Sequence, residues 1–262
     1  MKKNENEPIR LNKFISHNSQ YSRREADTLI QEGKVKVNGK VVDNLATKVT
    51  IEDKVQIGKM NVKEDKERLI TVIIYNKPKG EIVSKNDPRG RRTIFESISS
   101  KFKHFMPIGR LDFASEGLLL LTDSVDVLNA LTNSDLERVY KLKLDGEITP
   151  SVEDAMKNGL ELEDASKGGH IKSDIKQMSF KPFIGYSILK NDTKFSKIKV
   201  SISEGKNREL RRFFGHFDLN VLDLKRFEFG GISLNNLPTG KTRYLTKDEY
   251  RDLRYFLNTK DD

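Results

Sequence analysis

The stretch Gly109-Arg110-Leu111-Asp112, which continues through Ser115-Glu116-Gly117 into four leucines at 118–121, decides how the whole chain is interpreted. Four consecutive leucines bounded by Gly117 and Thr122 are too few for a helix core, so they predict a buried strand. Asp112 lies in the connection that enters this strand, and loops carried on a rigid strand scaffold often hold reactive groups. From spacing alone, a solvated turn aspartate is the commoner case. The surrounding sequence therefore has to decide the role of Asp112.

Composition points to modest apolar cores beneath a charged surface. Of 262 residues, 35% are hydrophobic and 33% charged, and the formal net charge is +9. A basic surface of this kind indicates a polyanionic partner, although general solubility explains it as well. The absence of cysteine excludes disulfides, thiolate nucleophiles and thiolate metal sites. The four histidines show no metal-ligand spacing, so we expect no metal site; they are His17, His104, His170 and His216.

The chain carries no sign of membrane insertion or export. No apolar stretch approaches the roughly 18 residues that a membrane-spanning helix needs. The residues after Met1 are polar and charged rather than the apolar segment of a signal peptide. We therefore expect a cytoplasmic protein without a membrane partner.

Residues 8–58 are predicted to form a small domain of two helices and a β-hairpin. Ser22 and Glu25 have the spacing of a capping box at the start of the second helix, and Asn38-Gly39 is typical of a hairpin turn. The segments "RLNKFIS" and "SRREADTLIQEGKVKVNG" resemble the RNA-binding module known as the S4 domain. Four basic residues on or beside the helices suit phosphate contacts, namely Arg10, Lys13, Arg23 and Arg24. A protein-interaction module is the alternative, which these basic helices do not favour.

A linker at 59–67 and a larger domain at 68–258 complete the predicted organisation. Tyr140, Leu142 and Leu144 alternate with Lys141 and Lys143, which predicts a half-buried strand. Residues 197–203 alternate in the same way. Together these patterns predict an α+β catalytic domain with a mixed, mostly antiparallel sheet, preceded by the small S4-like α/β domain. From the pattern alone, Tyr140 could equally be a core residue.

A predicted helix beginning at residue 208 carries an unusual charge distribution. Arg208, Arg211 and Arg212 crowd its first turn, where the helix dipole disfavours cations. This arrangement requires a compensating anion, which could be an RNA phosphate or a buried carboxylate.

Taken together, four segments resemble the pseudouridine synthases, specifically the branch that acts on ribosomal RNA. They are "NKPKG", "PIGRLDFASEGLLLLT", "ERVYKLKL" and "EGKNRELRRFFGHF", in this order along nearly the whole chain. One small departure is Ala114 before Ser115-Glu116, where the family often has an acidic residue. The resemblance implies isomerisation of uridine to pseudouridine in an RNA chain.

The resemblance also assigns roles to individual residues. Asp112 corresponds to the catalytic aspartate, Tyr140 to the tyrosine that stacks on the target base, and Arg211 to the basic residue that pairs with the aspartate. Arg110 lies where the family has an arginine near the flipped nucleotide. Arg208 and Lys77 match less directly and are assigned to RNA binding.

This chemistry requires neither cofactor nor metal, because the reaction breaks a glycosidic bond and rejoins the same base through carbon. The target base must leave its stack, which costs a few kcal/mol. Asp112 could attack the sugar, attack the uracil ring or remove a sugar proton, and we favour proton removal with a transient glycal.

For the partner, we expect ribosomal RNA, free or in a pre-ribosomal particle, with 23S favoured over 16S and a monomeric enzyme. Two alternatives stay open at this point. The same chemistry could act on 16S RNA, or the chain could be a non-catalytic assembly factor that only clamps ribosomal RNA.

Overall fold

The computed structural model describes residues 8–19, 21–63, 70–170 and 173–259. The chain divides into two compact units, one of residues 1–71 with 254–262 and the other of residues 72–253. Within the described ranges, no helix is both long enough and apolar enough to cross a membrane.

The first unit contains the predicted helix pair, α1 (Leu11–Asn18) and α2 (Arg23–Gln31). The capping box is confirmed, because the Ser22 amide donates to Glu25 Oε2 over 2.7 Å and the Glu25 amide donates to Ser22 Oγ over 3.3 Å. Gly33, with φ of +67°, follows the C-cap residue of the second helix. Apolar residues of both helices, including the fully buried Leu11 and Ile30, pack on the strands of this unit.

Within its described residues, this unit also has six short strands. They are β1 (Ile9–Arg10), β2 (Val35–Val37), β3 (Lys40–Val41), β4 (Lys48–Val49), β5 (Val55–Ile57) and β6 (Met60–Val62). A four-stranded sheet has the order β3-β2-β5-β6, and β1 pairs with β4. The predicted β2-β3 hairpin is confirmed, with positive φ at both Asn38 and Gly39.

The predicted linker at 59–67 was wrong at its start. Residues 60–62 form β6, which pairs with β5, and Val62 is buried. Three residues are too few to show a strand period among so many charged neighbours, so only the pairing with β5 reveals the strand. Residues 64–67 of this linker, and 68–69 at the predicted start of the second domain, lie outside the described residues.

The second unit is built on a nine-stranded sheet. Its strands are β7 (Val72–Lys77), β8 (Met106–Ile108), β9 (Glu116–Thr122), β10 (Arg138–Leu144), β13 (Gly185–Lys190), β14 (Ser196–Ile202), β15 (Val221–Phe229), β16 (Ile232–Ser233) and β17 (Thr242–Tyr244); β11 (Leu160–Leu162) and β12 (Met178–Phe180) form a separate pair. The main order is β13-β14-β10-β15-β9-β7-β17, with β16 beside β15 and β8 beside β9.

Helices accompany this sheet along the chain. They are α3 (Ile94–Ser97), a 3₁₀ turn (Ser100–Phe102), α4 (Val125–Thr132), α5 (Pro150–Asn158), α6 (Glu209–His216) and α7 (Lys247–Thr259), whose first residues belong to this unit. Within the sheet as described, β9 and β15 pair in parallel and the other pairings are antiparallel. The predicted α+β class with a mostly antiparallel sheet is therefore confirmed.

Strand β9 lies at the centre of this unit. Its four leucines are fully buried and all pair with β7, which confirms the strand predicted from the leucine run. On the other side, β15 pairs with β9 at Glu116 and Gly117, and β8 pairs with it from Leu120 to Thr122. Gly117 is required at its start, because a Cβ on that residue would lie 2.2 Å from the Arg226 carbonyl oxygen, and its φ is +106°. The close approach of β15 to β9 therefore depends on this glycine.

Among the residues that the structure describes, apolar packing on the sheet includes two clusters. In the first, β10, β14 and β15 pack against α5 and α6, with Phe213 and Phe214 of α6 fully buried. In the second, β7 and β9 pack against α3 and the 3₁₀ turn. The second cluster includes Leu119 and Leu121 of β9 and also Phe105 and Leu111 on either side of β8, so it packs next to the Asp112 connection.

Candidate active site

Asp112 lies in the connection between β8 and β9. Gly109 follows β8 with φ of +69°, which a side chain would disfavour, and so turns the chain away from the sheet. The Ser115 amide donates to the Asp112 carbonyl over 3.0 Å and closes the turn. The Asp112 side chain remains 35% exposed, so its carboxylate is accessible to a ligand.

Two arginines from the α6 region share one oxygen of this carboxylate. Arg211 Nε lies 3.5 Å from Asp112 Oδ2, and Arg208 Nη1 lies 3.3 Å from the same atom. Arg208 is the residue before α6 and has a left-handed backbone with φ of +50°, and such strain is found preferentially at functional sites. The structure therefore brings together the Asp112–Arg211 pair that the resemblance implied, and adds Arg208 to it.

Arg211 is held by several contacts besides Asp112. Its Nη1 donates to the Val221 carbonyl over 2.7 Å and its Nη2 to the Ser115 hydroxyl over 3.3 Å. Burial lowers the pKa of Arg211, Arg208 lowers it further, and Asp112 raises it. The guanidinium stays charged, because an arginine is protonated over the whole physiological range.

Arg212, the third arginine of this cluster, is accommodated differently. Its side chain is fully buried and donates to the carbonyls of Asn207, Ala165 and Ile175 and to the Ser173 hydroxyl. The sequence predicted an anion next to these arginines. Asp112 is that anion for Arg208 and Arg211, whereas Arg212 is satisfied mainly by backbone carbonyl oxygens.

Tyr140 lies at the middle of β10, with 7% of its surface exposed. It belongs to the apolar cluster under α6 and also lines the pocket into which Asp112 opens. Both interpretations of the sequence pattern, core residue and site residue, therefore apply to it. The pocket is lined by charged and apolar side chains in similar number. Its charged members are Arg110, Asp112, Arg138, Lys206, Arg208, Glu209, Arg211 and Arg226.

Arg110 is exposed and lines the same pocket. It precedes the catalytic candidate Asp112 by two residues on the same loop. This position leaves its guanidinium accessible to RNA, as the sequence prediction for it requires.

Lys77 requires a correction. We predicted an RNA contact for it, yet its side chain is fully buried at the end of β7. Its ammonium donates to the carbonyls of Pro78 (2.9 Å), Asp112 (3.1 Å) and Ser115 (2.8 Å). Burial lowers the pKa of Lys77 to about 8, while Glu81, Asp112 and Glu116 act to raise it. In this conformation, Lys77 braces the Asp112 loop from behind instead of reaching RNA.

Three buried charged residues of the pocket were not predicted from the sequence. Glu209, Arg138 and Arg226 are all buried. Burial raises the pKa of Glu209 to about 7, although the Lys206 amide donates to its carboxylate. Strand periodicity could have identified the two arginines. Arg138 is two residues before Tyr140, and Arg226 is two residues after Leu224, so each arginine lies on the buried face of its strand. A charge at a position reserved for an apolar residue marks a site candidate.

The basic residues predicted in the first unit are only partly brought together. Arg10, Lys13 and Arg23 line one surface depression, and Lys48 joins them because β4 pairs with β1. Arg24 is exposed and lies outside this depression. Their predicted RNA contacts stay predictions.

In the part of the chain that the structure describes, no group of three or more His, Asp or Glu side chains is arranged to hold a metal ion.

Comparison with known proteins places this geometry in context. A family model described as RNA pseudouridylate synthase matches residues 71–216, and one described as S4 domain matches residues 9–55. An uncharacterized RNA pseudouridine synthase of Helicobacter pylori (strain ATCC 700392 / 26695) is 51% identical over 249 residues, which cover 95% of each chain. Ribosomal large subunit pseudouridine synthase B of Bacillus subtilis (strain 168) is 35% identical over 247 residues, covering 94% of this chain and 95% of the relative. Among solved structures, a crystal structure of pseudouridylate synthase aligns with a TM-score of 0.63 and 26% identity, covering 94% of this chain and 99% of that one.

Proposed function

The chain belongs to the RNA pseudouridylate synthase family, and from this premise we propose that it isomerises a specific uridine of 23S ribosomal RNA, with Asp112 as the catalytic carboxylate. That it is an RNA pseudouridine synthase with an S4 domain follows from the family. The target RNA and the residue roles are our proposal.

One observation supports this role for Asp112 above all. Its accessible carboxylate lies within 3.5 Å of two guanidinium groups, at a pocket that Tyr140 also lines. The two guanidinium groups lie beside the oxygen that would act as base or nucleophile. Lys77 fixes the backbone of the same loop from the interior.

In the mechanism we favour, Asp112 removes the proton from C2′ of the ribose while the bond from C1′ to N1 breaks. The products are a glycal and a uracil anion that stays in the pocket. After the ring turns, C5 bonds to C1′ and Asp112 returns its proton to C2′. The proton on C5 then moves to N1, so no atom is gained or lost. Preorganised charges around the base are suited to stabilise the anion.

Tyr140 and Arg110 take the roles that the resemblance implies. The Tyr140 ring provides a surface on which the flipped base stacks, and its hydroxyl is suited to assist proton movement. Arg110, on the exposed rim, is suited to occupy the space that the flipped base leaves in the RNA. Such contacts offset part of the few kcal/mol that unstacking costs.

The choice of large-subunit RNA is supported by the Bacillus subtilis relative, whose name specifies the ribosomal large subunit. The net charge of +9 suits an RNA substrate of any kind. We further propose that the enzyme acts as a monomer in the cytoplasm, on 23S RNA that is free or within a pre-ribosomal particle.

Pseudouridine mapping tests this proposal. Ribosomal RNA from cells with and without the gene is labelled with carbodiimide and read by primer extension. We expect one 23S stop to vanish without the gene. Wild type and Asp126→Asn, a matched change at an exposed aspartate of α4, should restore it, whereas Asp112→Asn should not, although purified Asp112→Asn still binds ribosomal RNA.

The other outcomes separate the alternatives. Loss of a 16S stop would keep the chemistry and overturn the proposed substrate. An unchanged map together with defective ribosome assembly would favour the non-catalytic clamp. Restoration by Asp112→Asn would remove Asp112 from the reaction.

A further inference from the structure

The nine-stranded sheet carries a row of lysines on the face opposite the pocket. Successive residues of a strand point to opposite faces, so Lys141 and Lys225 face away from Tyr140 and Arg226, which line the pocket. We call this surface the lysine face. It consists of Lys141 and Lys143 on β10, Lys197 and Lys199 on β14, Lys225 on β15 and Lys190 at the end of β13.

Strand register places these lysines directly opposite one another. Lys141 pairs across the ladders with Lys199 on one side and with Lys225 on the other. Lys197 is opposite Lys143 and Lys190 in the same way. Adjacent strands are about 4.8 Å apart, and like charges directly opposite destabilise a sheet. Fold stability therefore does not account for this arrangement.

Carboxylates do little to neutralise the lysine face. Asp223 is opposite Lys143 but forms its ion pair with Lys79. Lys190 lies 3.6 Å from Asp192. For the remaining five lysines, no ion pair with a carboxylate occurs within the described ranges. The face is thus a concentrated, largely unpaired positive surface.

Two aromatic rings hold the ammonium groups in place. Lys143, Lys190 and Lys197 lie 4.8, 3.7 and 5.9 Å from the centre of the Phe195 ring. Lys141 and Lys225 lie 4.6 and 5.2 Å from that of Phe227. A cation over a ring is attracted without being neutralised. The rings therefore order the positive charges and leave them available to an anion.

We propose that the lysine face is a second RNA-binding surface, which contacts phosphates of the substrate RNA away from the target uridine. Regularly spaced cations that lack carboxylate partners suit a polyanion. RNA is favoured over an acidic protein because the enzyme already acts on RNA. The inference rests on RNA as the substrate and not on the role of Asp112.

A triple variant tests the proposal, with Lys141→Gln, Lys199→Gln and Lys225→Gln combined. The control combines Lys157→Gln, Lys176→Gln and Lys247→Gln, three exposed lysines outside the lysine face, with the same change in net charge. The probe is an unmodified ribosomal RNA transcript that the wild-type enzyme modifies, and Kd is measured between about 50 and 300 mM salt.

Each lost phosphate contact lowers the slope of log Kd against log salt by about 0.7–0.9. We expect the slope to fall by roughly 2–3 for the lysine-face variant, and by less than about 1 for the control. At about 0.15 M salt, the lysine-face variant should bind roughly tenfold more weakly, with kcat at saturating RNA unchanged. Replacement of the same three lysines by arginine should restore the slope.

Thermal unfolding gives an independent readout. Because like charges are removed, the lysine-face variant should melt at the same temperature as wild type or higher. A lower melting temperature would show that these lysines stabilise the fold. Equal slopes in the two triple variants, or a loss of binding to an acidic protein but not to RNA, would overturn the proposal. Because this experiment measures RNA binding, its result does not depend on which residue performs catalysis.

Discussion

Arg211 Nε lies 3.5 Å from Asp112 Oδ2, while the other two nitrogens of the same guanidinium donate to the Val221 carbonyl and the Ser115 hydroxyl. At that distance the contact is an ion pair rather than a hydrogen bond. The guanidinium thus joins the first turn of α6, the start of β15 and the loop before β9. Asp112 is positioned by contacts from three separate parts of the chain.

Arg211→Lys should separate positioning from charge. An ammonium keeps the charge but cannot donate to Val221, Ser115 and Asp112 together, because it lacks the planar fork. We expect single-turnover rates to fall about 10²-fold, with little change in the Kd for RNA. Arg251→Lys, at an exposed position on α7, is the control and should leave the rate unchanged. Equal rates in the two variants would contradict this role.

Tyr140→Phe keeps the ring in the apolar cluster and removes the hydroxyl. If the hydroxyl assists proton movement, the rate should fall about 10²-fold or more, while the melting temperature changes little. Tyr186→Phe, whose hydroxyl donates to Glu153, serves as the matched control. A rate within twofold of wild type would restrict Tyr140 to stacking and packing.

Lys77→Met should loosen the Asp112 loop, because the carbonyls of Pro78 and Ser115 lose this donor, at about 1–3 kcal/mol for each group left unsatisfied. The Asp112 carbonyl also loses it but still accepts from the Ser115 amide. The pH dependence of the free energy of unfolding shows whether the Lys77 ammonium is responsible. Lys77 loses its proton at about pH 8 when folded and at its ordinary value of 10.5 when unfolded. Between these values the unfolded chain binds more protons, so the free energy of unfolding should rise with pH, by up to about 3 kcal/mol.

Urea denaturation at several pH values from 7.5 to 10 measures this rise in wild type. The Met variant should lack it, because methionine does not titrate. A rise of the same size in the variant would assign the effect to another group.

The pH dependence of stability that Glu209 contributes should have the opposite sign to that of Lys77, and Glu209→Gln should remove it. The folded carboxyl has its pKa raised to about 7 from an ordinary 4.5. Between these values the folded chain binds more protons, so the free energy of unfolding of wild type should fall as pH rises, by about 1–3 kcal/mol. Glutamine still accepts from the Lys206 amide and cannot ionise. The variant should therefore be more stable than wild type above pH 7 and equal to it below pH 4.5.

Urea titrations of both proteins from pH 4.5 to 8 test this expectation. Parallel curves across the range would show that Glu209 ionises in the fold as it does in water.

Local patterns in the sequence were sufficient for several elements. The capping box at Ser22, the Asn38-Gly39 turn and the leucine strand of β9 were predicted correctly, because each depends on neighbours within a few residues. The same holds for the buried face of β10, where alternation assigns Tyr140 to the interior. The pairing of Asp112 with Arg211 came from the family resemblance, and the structure places the two side chains together.

What only the tertiary structure decided depends on which distant segments meet. Lys77 became a buried brace because its strand end lies behind the Asp112 loop, and Arg212 is satisfied by carbonyls that lie up to 47 residues away. The lysine face needs four strands in register, and the sequence of each strand shows only its own alternation. The sequence by itself determined the elements and the chemistry they carry, whereas long-range strand pairing determined which charges are buried, paired or left facing solvent.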